Sequence, residues 1–370
     1  MMNYTCYRCK SRYAIDMPIY RCACGGFLRI QDGGIFTEDD LKEPERGVWR
    51  YKKSFFLPDG VLPVTLGEGN TPLLEGKIDG RRVYFKLDFL QPSGSFKDRG
   101  ASVLISLLNF LNIRNVVEDS SGNAGSAISA YAAAAGIHAT VYVPDYTPDG
   151  KVVQMKLYGA RVIKVPGKRQ DANEAVLKAS TSSFYASHLW QPYFIMGLKS
   201  TAYEIWENMC RALPPTIIVP VGSGGLLEGL YLGFESLADS GYTKGIPKLI
   251  GVQASRCAPI HTAFLGGLND YADIEAGKTV AEGIAVQKPP RAGAVLSALR
   301  KSRGYTVTVE EEEIVAAAGR LSAMGLFVEP TSASTLAAWL KVEENDREGA
   351  VIILTGSGLK AISTYSTMKN

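Results

Sequence analysis

Lys97 and four early cysteines carry the most reactive chemistry in this chain. The lysine stands in Pro92-Ser93-Gly94-Ser95-Phe96-Lys97-Asp98-Arg99-Gly100, after an apolar strand-like run at 83–87 and before an apolar run at 101–111 that suits a buried helix. A strand-to-helix turn confines the amine, and Ser93 and Ser95 are natural N-cap residues beside the free N–H groups of a first helical turn. A confined lysine with a neutral fraction attacks aldehydes, and burial or a neighbouring cation such as Arg99 supplies that fraction. Taken alone, the stretch is equally well read as a solvated helix cap.

The cysteines form two close pairs, Cys6-Tyr7-Arg8-Cys9 and Cys22-Ala23-Cys24-Gly25-Gly26, separated by twelve residues. One hairpin between two pairs can set four thiolates around a tetrahedral zinc, leaving no open position for catalysis. The second pair is a Cys-x-Cys, a tighter loop than Cys-x-x-Cys, and metal-free thiols are the alternative. Cys210 and Cys257 are isolated in apolar surroundings, so the pattern is not that of a disulfide framework.

Two further turns have the composition of anion cradles. Asp119-Ser120-Ser121-Gly122-Asn123-Ala124-Gly125 places small hydroxyls and an amide at a helix start, where N–H groups and the dipole favour a carboxylate. Gly222-Ser223-Gly224-Gly225-Leu226 follows the apolar run 216–221 and opens a helix, the arrangement by which backbone N–H groups close around a phosphate. Leu354-Thr355-Gly356-Ser357-Gly358-Leu359-Lys360 ends a buried run at 350–354. Gly67-Glu68-Gly69-Asn70-Thr71-Pro72-Leu73 describes a tight preset loop. His138, His188 and His261 show no triad or metal spacing and read as structural.

The elements that must position these residues alternate. Strands are expected at 83–87, 115–118, 139–143, 161–165, 216–221, 248–253, 305–309 and 350–354, with a helix at 126–135 ended by Gly136 and another beginning within 328–333. Such alternation argues for α/β architecture with parallel sheets covered by helices. Residues 36–62 read as a polar linker broken by Pro44, Pro58 and Pro63, and 281–285 as a loop. The length of 370 residues suits two domains plus an appendage. A 1–35 zinc-ribbon-like segment precedes a larger domain, 36–104 with 191–370, and a smaller mobile one, 105–190. Net charge +3, with 21% charged residues and no basic block, disfavours nucleic acid. The apolar runs fall short of a membrane span and the first residues lack a signal core, so a cytoplasmic protein is expected.

Five of these motifs, in the order Gly-Glu-Gly-Asn-Thr-Pro-Leu, Ser-Phe-Lys-Asp-Arg-Gly, Ser-Ser-Gly-Asn, Gly-Ser-Gly-Gly-Leu and Thr-Gly-Ser-Gly-Leu-Lys, resemble those of the threonine synthases. These belong to the β-family, fold type II, of pyridoxal-phosphate enzymes. The resemblance covers about residues 64–360 and implies two α/β domains with the cofactor in the cleft between them. It implies that Lys97 is the Schiff-base lysine, that the Gly67–Leu73 motif lines the active site and that Gly222, Ser223, Gly224, Gly225 and Leu226 hold the 5′-phosphate. Thr355 would face the pyridine nitrogen. Ser120, Ser121, Gly122 and Asn123 would hold the substrate carboxylate, Asn123 also facing the phenolic oxygen. A ribbon with Cys6, Cys9, Cys22 and Cys24 around zinc precedes the core in some members. The implied reaction converts O-phospho-L-homoserine and water to L-threonine and phosphate, and the expected partners are that small phosphorylated substrate and a second copy of the chain, as a homodimer.

The chain departs from the better-known bacterial pattern at substrate-facing positions. Ala124 replaces a common threonine, Gln191 an asparagine and Phe194 a common basic residue, while Lys168-Arg169-Gln170-Asp171 replaces a small and acidic run. Either Lys168, Arg169 and Lys199 hold the substrate phosphate or the leaving group differs. O-phosphoserine β-replacement, as in cysteate synthase-like relatives, and serine or threonine dehydration are the alternatives. A zinc-ribbon interaction protein on an inactive scaffold is disfavoured by the presence of Lys97, Asn123 and Thr355 together.

Overall fold

A computed structural model describes residues 3–15, 17, 19–30, 36–41 and 45–367. The chain divides into two compact units, residues 1–69 with 97–198 and residues 70–96 with 199–370. It passes from one to the other between Gly69 and Asn70, Phe96 and Lys97, and Leu198 and Lys199. Two of these crossings fall inside the motifs around Glu68 and Lys97. The smaller domain drawn from the sequence, 105–190, is therefore narrower than the compact unit, which also takes in the ribbon, residues 36–69 and two flanking helices.

That wider unit has a packing cause. Helix Pro192–Leu198 lies against helix Lys97–Phe110 at two glycines: a Cβ on Gly197 would sit 2.1 Å from the Arg99 carbonyl, and one on Gly100 would sit 2.5 Å from the Phe194 ring. On Pro192–Leu198 the Tyr193 ring also meets Tyr4 of the ribbon edge-on at 6.1 Å, and its hydroxyl donates to the Phe56 carbonyl at 2.7 Å. The unit carries a four-stranded parallel sheet in the order Arg161–Val165, His138–Pro144, Asn115–Glu118, Phe184–Tyr185. The ribbon is a separate antiparallel sheet with Asn3–Cys6 between Arg12–Ala14 and Leu28–Ile30.

The second unit is built on six strands ordered Tyr305–Val309, Lys248–Ala254, Thr216–Pro220, Ala350–Ile353, Arg81–Lys86, Leu73–Ile78. The first five run parallel, and Leu73–Ile78 closes one edge antiparallel to Arg81–Lys86. Val83, Phe85, Ile218, Ile250, Val252 and Ile352 on these strands form one core with Ile314, Leu321, Leu336 and Trp339 of the covering helices. Strands buried on both faces read as continuous β-branched runs, which is why the parallel ones are visible in the sequence. The edge strand, with five of six residues partly or fully exposed and a glycine at 76, is not.

The expected linker is a correction. A 3₁₀ segment, Gly47–Phe55, buries Val48, Trp49, Tyr51, Ser54 and Phe55, with Trp49 edge-on to Phe55 at 6.3 Å. The basic residues between those aromatics disguise an inward-facing element. Pro44, expected as a breaker, lies outside the described residues. Among the described residues no helix is long and apolar enough to cross a membrane.

Candidate active site

Three neighbouring parallel strands of the second unit end in three of the motifs. Thr216–Pro220 leads to Gly222–Leu226, Ala350–Ile353 to Thr355, and Arg81–Lys86 to the stretch before Lys97. Ligands in open α/β sheets sit outside the carboxyl ends of strands, and adjacent strands are about 4.8 Å apart, so these turns share one small region. Two of them are bonded together. Phe96 N–H donates to the Thr355 carbonyl at 2.9 Å, Ser95 bridges Gly356, and Ser357 N–H donates to the Gly94 carbonyl at 3.0 Å. Lys360 Nζ completes the clasp on the Ser93 carbonyl at 2.9 Å.

Two glycines of the loop admit no side chain. A Cβ on Gly222 would lie 2.7 Å from the Gly283 carbonyl; one on Gly224, whose φ is +86°, would lie 2.1 Å from Val295 Cγ2. Its backbone therefore faces outward bare, at the start of the fifteen-residue helix Gly225–Asp239, whose first-turn N–H groups have no intrahelical acceptor.

Lys97 is the first residue of helix Lys97–Phe110, so Phe96 precedes the helix and neither Ser93 nor Ser95 caps it, contrary to expectation. Both serines are drawn instead into the clasp with residues 355–360. The Ser95 hydroxyl, fully buried, has no hydrogen-bond partner among the described residues. The Lys97 ammonium stands 5.7 Å from the Phe194 ring centroid. Phe194 thus accounts for one departure from the bacterial pattern: the ring fills the space against Gly100 where a basic side chain would bury a second cation near Lys97. Arg99, the suggested neighbouring cation, is fully buried two residues on.

The four-stranded sheet supplies the other turns, again at carboxyl ends. Asn115–Glu118 runs into Ser120, Ser121 and Gly122, and Asn123 opens helix Asn123–Ala134; Ser120 Oγ accepts from Gly122 N–H at 3.3 Å. Ala124 is buried in that first turn. Lys168 and Arg169 follow Arg161–Val165, both exposed, at the start of helix Arg169–Ala179. Lys199 belongs to the other unit, buried, with its ammonium 5.8 Å from the Tyr203 ring.

Glu68, read as a loop residue, is a buried hub. Its Oε1 accepts from Trp49 Nε1 at 2.9 Å and Ser102 Oγ at 2.5 Å, and its Oε2 from the Tyr131 hydroxyl at 2.9 Å, Thr65 Oγ1 at 3.0 Å and Leu66 N–H at 2.9 Å. Ser102 lies on the helix begun by Lys97 and Tyr131 on the helix begun by Asn123. One carboxylate thereby ties together the elements that present both residues.

His188, read as structural, pairs with a buried carboxyl. It follows strand Phe184–Tyr185, and its Nδ1 is 2.8 Å from Glu118 Oε1, with both side chains buried. Burial, then Asp119, pushes Glu118 well above the usual carboxylate range against the pull of Lys97 and Arg169. Burial, then the same two cations, pushes His188 well below the usual imidazole range. The pair is a neutral acid and a neutral imidazole. A carboxyl whose folded pKa is raised contributes stability that is complete below its unfolded pKa of about 4.5 and is lost as pH climbs toward the folded value. Glu118→Gln, which keeps a neutral partner for His188, is therefore expected to match the wild type at pH 5 and to melt at a higher temperature than the wild type at pH 8. Thermal melts at both pH values test it, and a variant destabilised at pH 8 alone contradicts the neutral pair.

The four cysteine sulfurs lie within 4.8 Å of one another, Cys6 to Cys24 and Cys9 to Cys22 each at 3.5 Å. A Cβ on Gly26 would sit 2.7 Å from Cys6 Sγ, and Gly25 has φ +79°, so the paired glycines let the short Cys-x-Cys loop close. Hydrogen bonds from Ser11, side chain first and then backbone, lower Cys9 to about 6.

Comparison with known proteins agrees with this arrangement. A family model described as pyridoxal-phosphate dependent enzyme matches residues 64–356. The threonine synthase of Methanocaldococcus jannaschii is 35% identical over 376 residues, 97% of this chain and 93% of that protein. That of Methanosarcina acetivorans is 35% identical, covering 97% and 92%. Among solved structures, the serine racemase of Dictyostelium discoideum superposes with a TM-score of 0.66 at 28% identity, covering 78% of this chain and 92% of that one.

Proposed function

Because the chain belongs to the pyridoxal-phosphate-dependent enzymes, as a lyase related to threonine synthases along nearly its whole length, we propose that it converts O-phospho-L-homoserine and water to L-threonine and phosphate. The observation that carries this reading is the set of three turns at the carboxyl ends of adjacent strands, one leading to Lys97, one bearing Thr355 and one a bare glycine loop. Within the second unit the residues fit the cofactor: a glycine loop with no room for a Cβ at Gly222 or Gly224 for its phosphate and a buried hydroxyl, Thr355, for its ring, while Lys97 offers an amine for its aldehyde. Bound there, pyridoxal phosphate supplies an electron sink that stabilises negative charge on substrate carbons.

Lys97 would hold the cofactor through Nζ; as a free amine it would take the Cα proton and one Cβ proton, and return one proton to Cγ after phosphate leaves and one to Cα after water adds at Cβ. Gly222, Ser223, Gly224, Gly225 and Leu226 bind the 5′-phosphate by backbone N–H groups. Ser120, Ser121, Gly122 and Asn123 orient the substrate carboxylate at a helix N-terminus. Lys168 and Arg169, exposed cations at the start of helix Arg169–Ala179, serve the substrate phosphate.

Phosphate release tests the assignment when measured side by side with O-phosphohomoserine, with O-phosphoserine plus sulfide or sulfite, and with keto-acid formation from threonine or serine. Threonine formed from the first at a kcat/KM at least tenfold above the others is expected. Turnover of phosphoserine alone moves the chain to β-replacement.

The cysteine cluster suits a structural zinc on Cys6, Cys9, Cys22 and Cys24. Zn–S bonds of about 2.3 Å in a tetrahedron place sulfurs about 3.8 Å apart, close to the 3.5 Å seen for two pairs here. Metal analysis under reducing conditions is expected to find about one zinc per chain, lost in Cys9→Ser with turnover kept in part, because four protein ligands leave no catalytic position. Metal-free protein of unchanged stability refutes the site. All six cysteines are free thiols, which supports placement in the reducing cytoplasm.

A further inference from the structure

Ser332 lies in the first turn of helix Pro330–Trp339, fully buried, and its Oγ makes four polar contacts, two with Thr355 and two with Gly356, that leave it little freedom. Its Oγ accepts from Thr355 N–H at 2.9 Å and from Gly356 N–H at 2.8 Å. It stands 3.0 Å from Thr355 Oγ1 and 3.2 Å from the Gly356 carbonyl. A hydroxyl has two lone pairs and one hydrogen. Both lone pairs of Ser332 are committed to the two N–H groups, so its hydrogen points to Thr355 Oγ1 or to the Gly356 carbonyl, and the Thr355 hydrogen has no place on Ser332. Among the described residues that hydroxyl has no other hydrogen-bond partner, although Thr355 is 1% exposed. A buried donor without an acceptor calls for a ligand atom with a lone pair.

We propose that Ser332 is a positioning residue that fixes the Thr355 hydroxyl as a donor only, so that the atom it meets on the cofactor is an unprotonated ring nitrogen. The inference rests on the reading of Thr355 as the partner of that nitrogen. A pyridinium would face the Thr355 hydrogen with one of its own, so the site selects the neutral ring, a weaker electron sink that quenches charge less completely and leaves it available for elimination.

Titration of the apoprotein, followed by absorbance, compares pyridoxal 5′-phosphate with its 1-deaza analogue, in which carbon replaces the ring nitrogen. The wild type is expected to bind the natural cofactor about tenfold more tightly, the scale of one buried donor left unsatisfied. In Ser332→Ala the preference should fall to within about threefold, because the freed Thr355 hydroxyl can turn. Ring-¹⁵N cofactor should show a shift invariant between pH 6 and 9 in the wild type and a protonation step in Ser332→Ala. Ser332→Thr, which keeps the hydroxyl, and Ser334→Ala, which removes only a bond to the Thr331 carbonyl at 2.7 Å, should both behave as wild type. Equal wild-type affinity for the two cofactors overturns the inference even if Ser332→Ala does not fold, and so does a Ser332→Ala protein with wild-type preference and an invariant ¹⁵N shift. Failure of the wild type to bind either compound instead removes the cofactor reading itself, and the inference with it.

Discussion

Lys97→Ala is expected to lower turnover by about a thousandfold or more while leaving the melting temperature within a few degrees of wild type. The asymmetry follows from where the side chain sits. Lys97 is the first residue of its helix and only half-buried, a position where alanine is a good helix former, and its cation–π contact with Phe194 at 5.7 Å is worth about 0.5–1 kcal/mol. Its chemical contribution has no substitute nearby: Arg99 and Arg169 do not lose their protons in proteins and cannot bond an aldehyde or accept the Cα proton. Lys97→Arg should for the same reason be as inactive as Lys97→Ala. Borohydride reduction followed by peptide mass analysis gives a reading independent of turnover. The cofactor mass should appear on the peptide containing Lys97 in the wild type and nowhere in the alanine variant. A reducible covalent adduct that persists in Lys97→Ala would falsify the assignment.

The positions of Thr355 and the Gly222–Leu226 loop in the fold were legible in the sequence because each follows a buried parallel strand within two residues, whereas Lys97 stands eleven residues beyond its strand and is placed by the helix it begins. Strands Asn115–Glu118, Arg161–Val165 and Tyr305–Val309 were readable to the residue on the same grounds, being β-branched runs with sharp polar or glycine ends. What could not be read are partnerships formed across long separations. Ser332 meets Thr355 from 23 residues away, Tyr131 meets Glu68 from 63, and His188 meets Glu118 from 70. No local periodicity records such pairs, and a lone histidine after a two-residue strand carries no signal of the carboxyl it will face. The same limit explains residues 47–55, where Trp49 is defined by Glu68 and Ser102, 19 and 53 residues on, rather than by its neighbours. The Lys97 motif was legible as chemistry and illegible as architecture: nothing in it says that the chain changes units between Phe96 and Lys97.

The second large effect is on stability, at Glu68. Its five hydrogen-bond partners are all donors, three of them on residues buried with it: Trp49, Ser102 and Tyr131. Glu68→Ala leaves the Tyr131 hydroxyl without its acceptor in a dry site and takes from Trp49 and Ser102 one of two acceptors each, the others being Ser102 Oγ and the Val64 carbonyl, and is expected to cost about 2–3 kcal/mol in the unit that contains it, seen as a fall in Tm of roughly 5–10 °C. Glu68→Gln separates this account from one of size and packing. The amide NH₂ must occupy one of the two oxygen positions. At Oε1 it faces Trp49 Nε1–H and at Oε2 Leu66 N–H, both of which only donate, whereas the hydroxyls of Ser102, Thr65 and Tyr131 can turn to accept. Either orientation sets two donors against each other, so Glu68→Gln should lose most of what Glu68→Ala loses despite its near-identical volume. The damage should also reach the site. Ser102 and Tyr131 anchor the helices begun by Lys97 and Asn123, so loss of their common acceptor loosens both, and reconstitution of the variant at a temperature where it stays folded should show cofactor affinity reduced by about tenfold. A Glu68→Gln protein with wild-type Tm and wild-type cofactor affinity would show that the carboxylate fills space and does not hold the two helices in place.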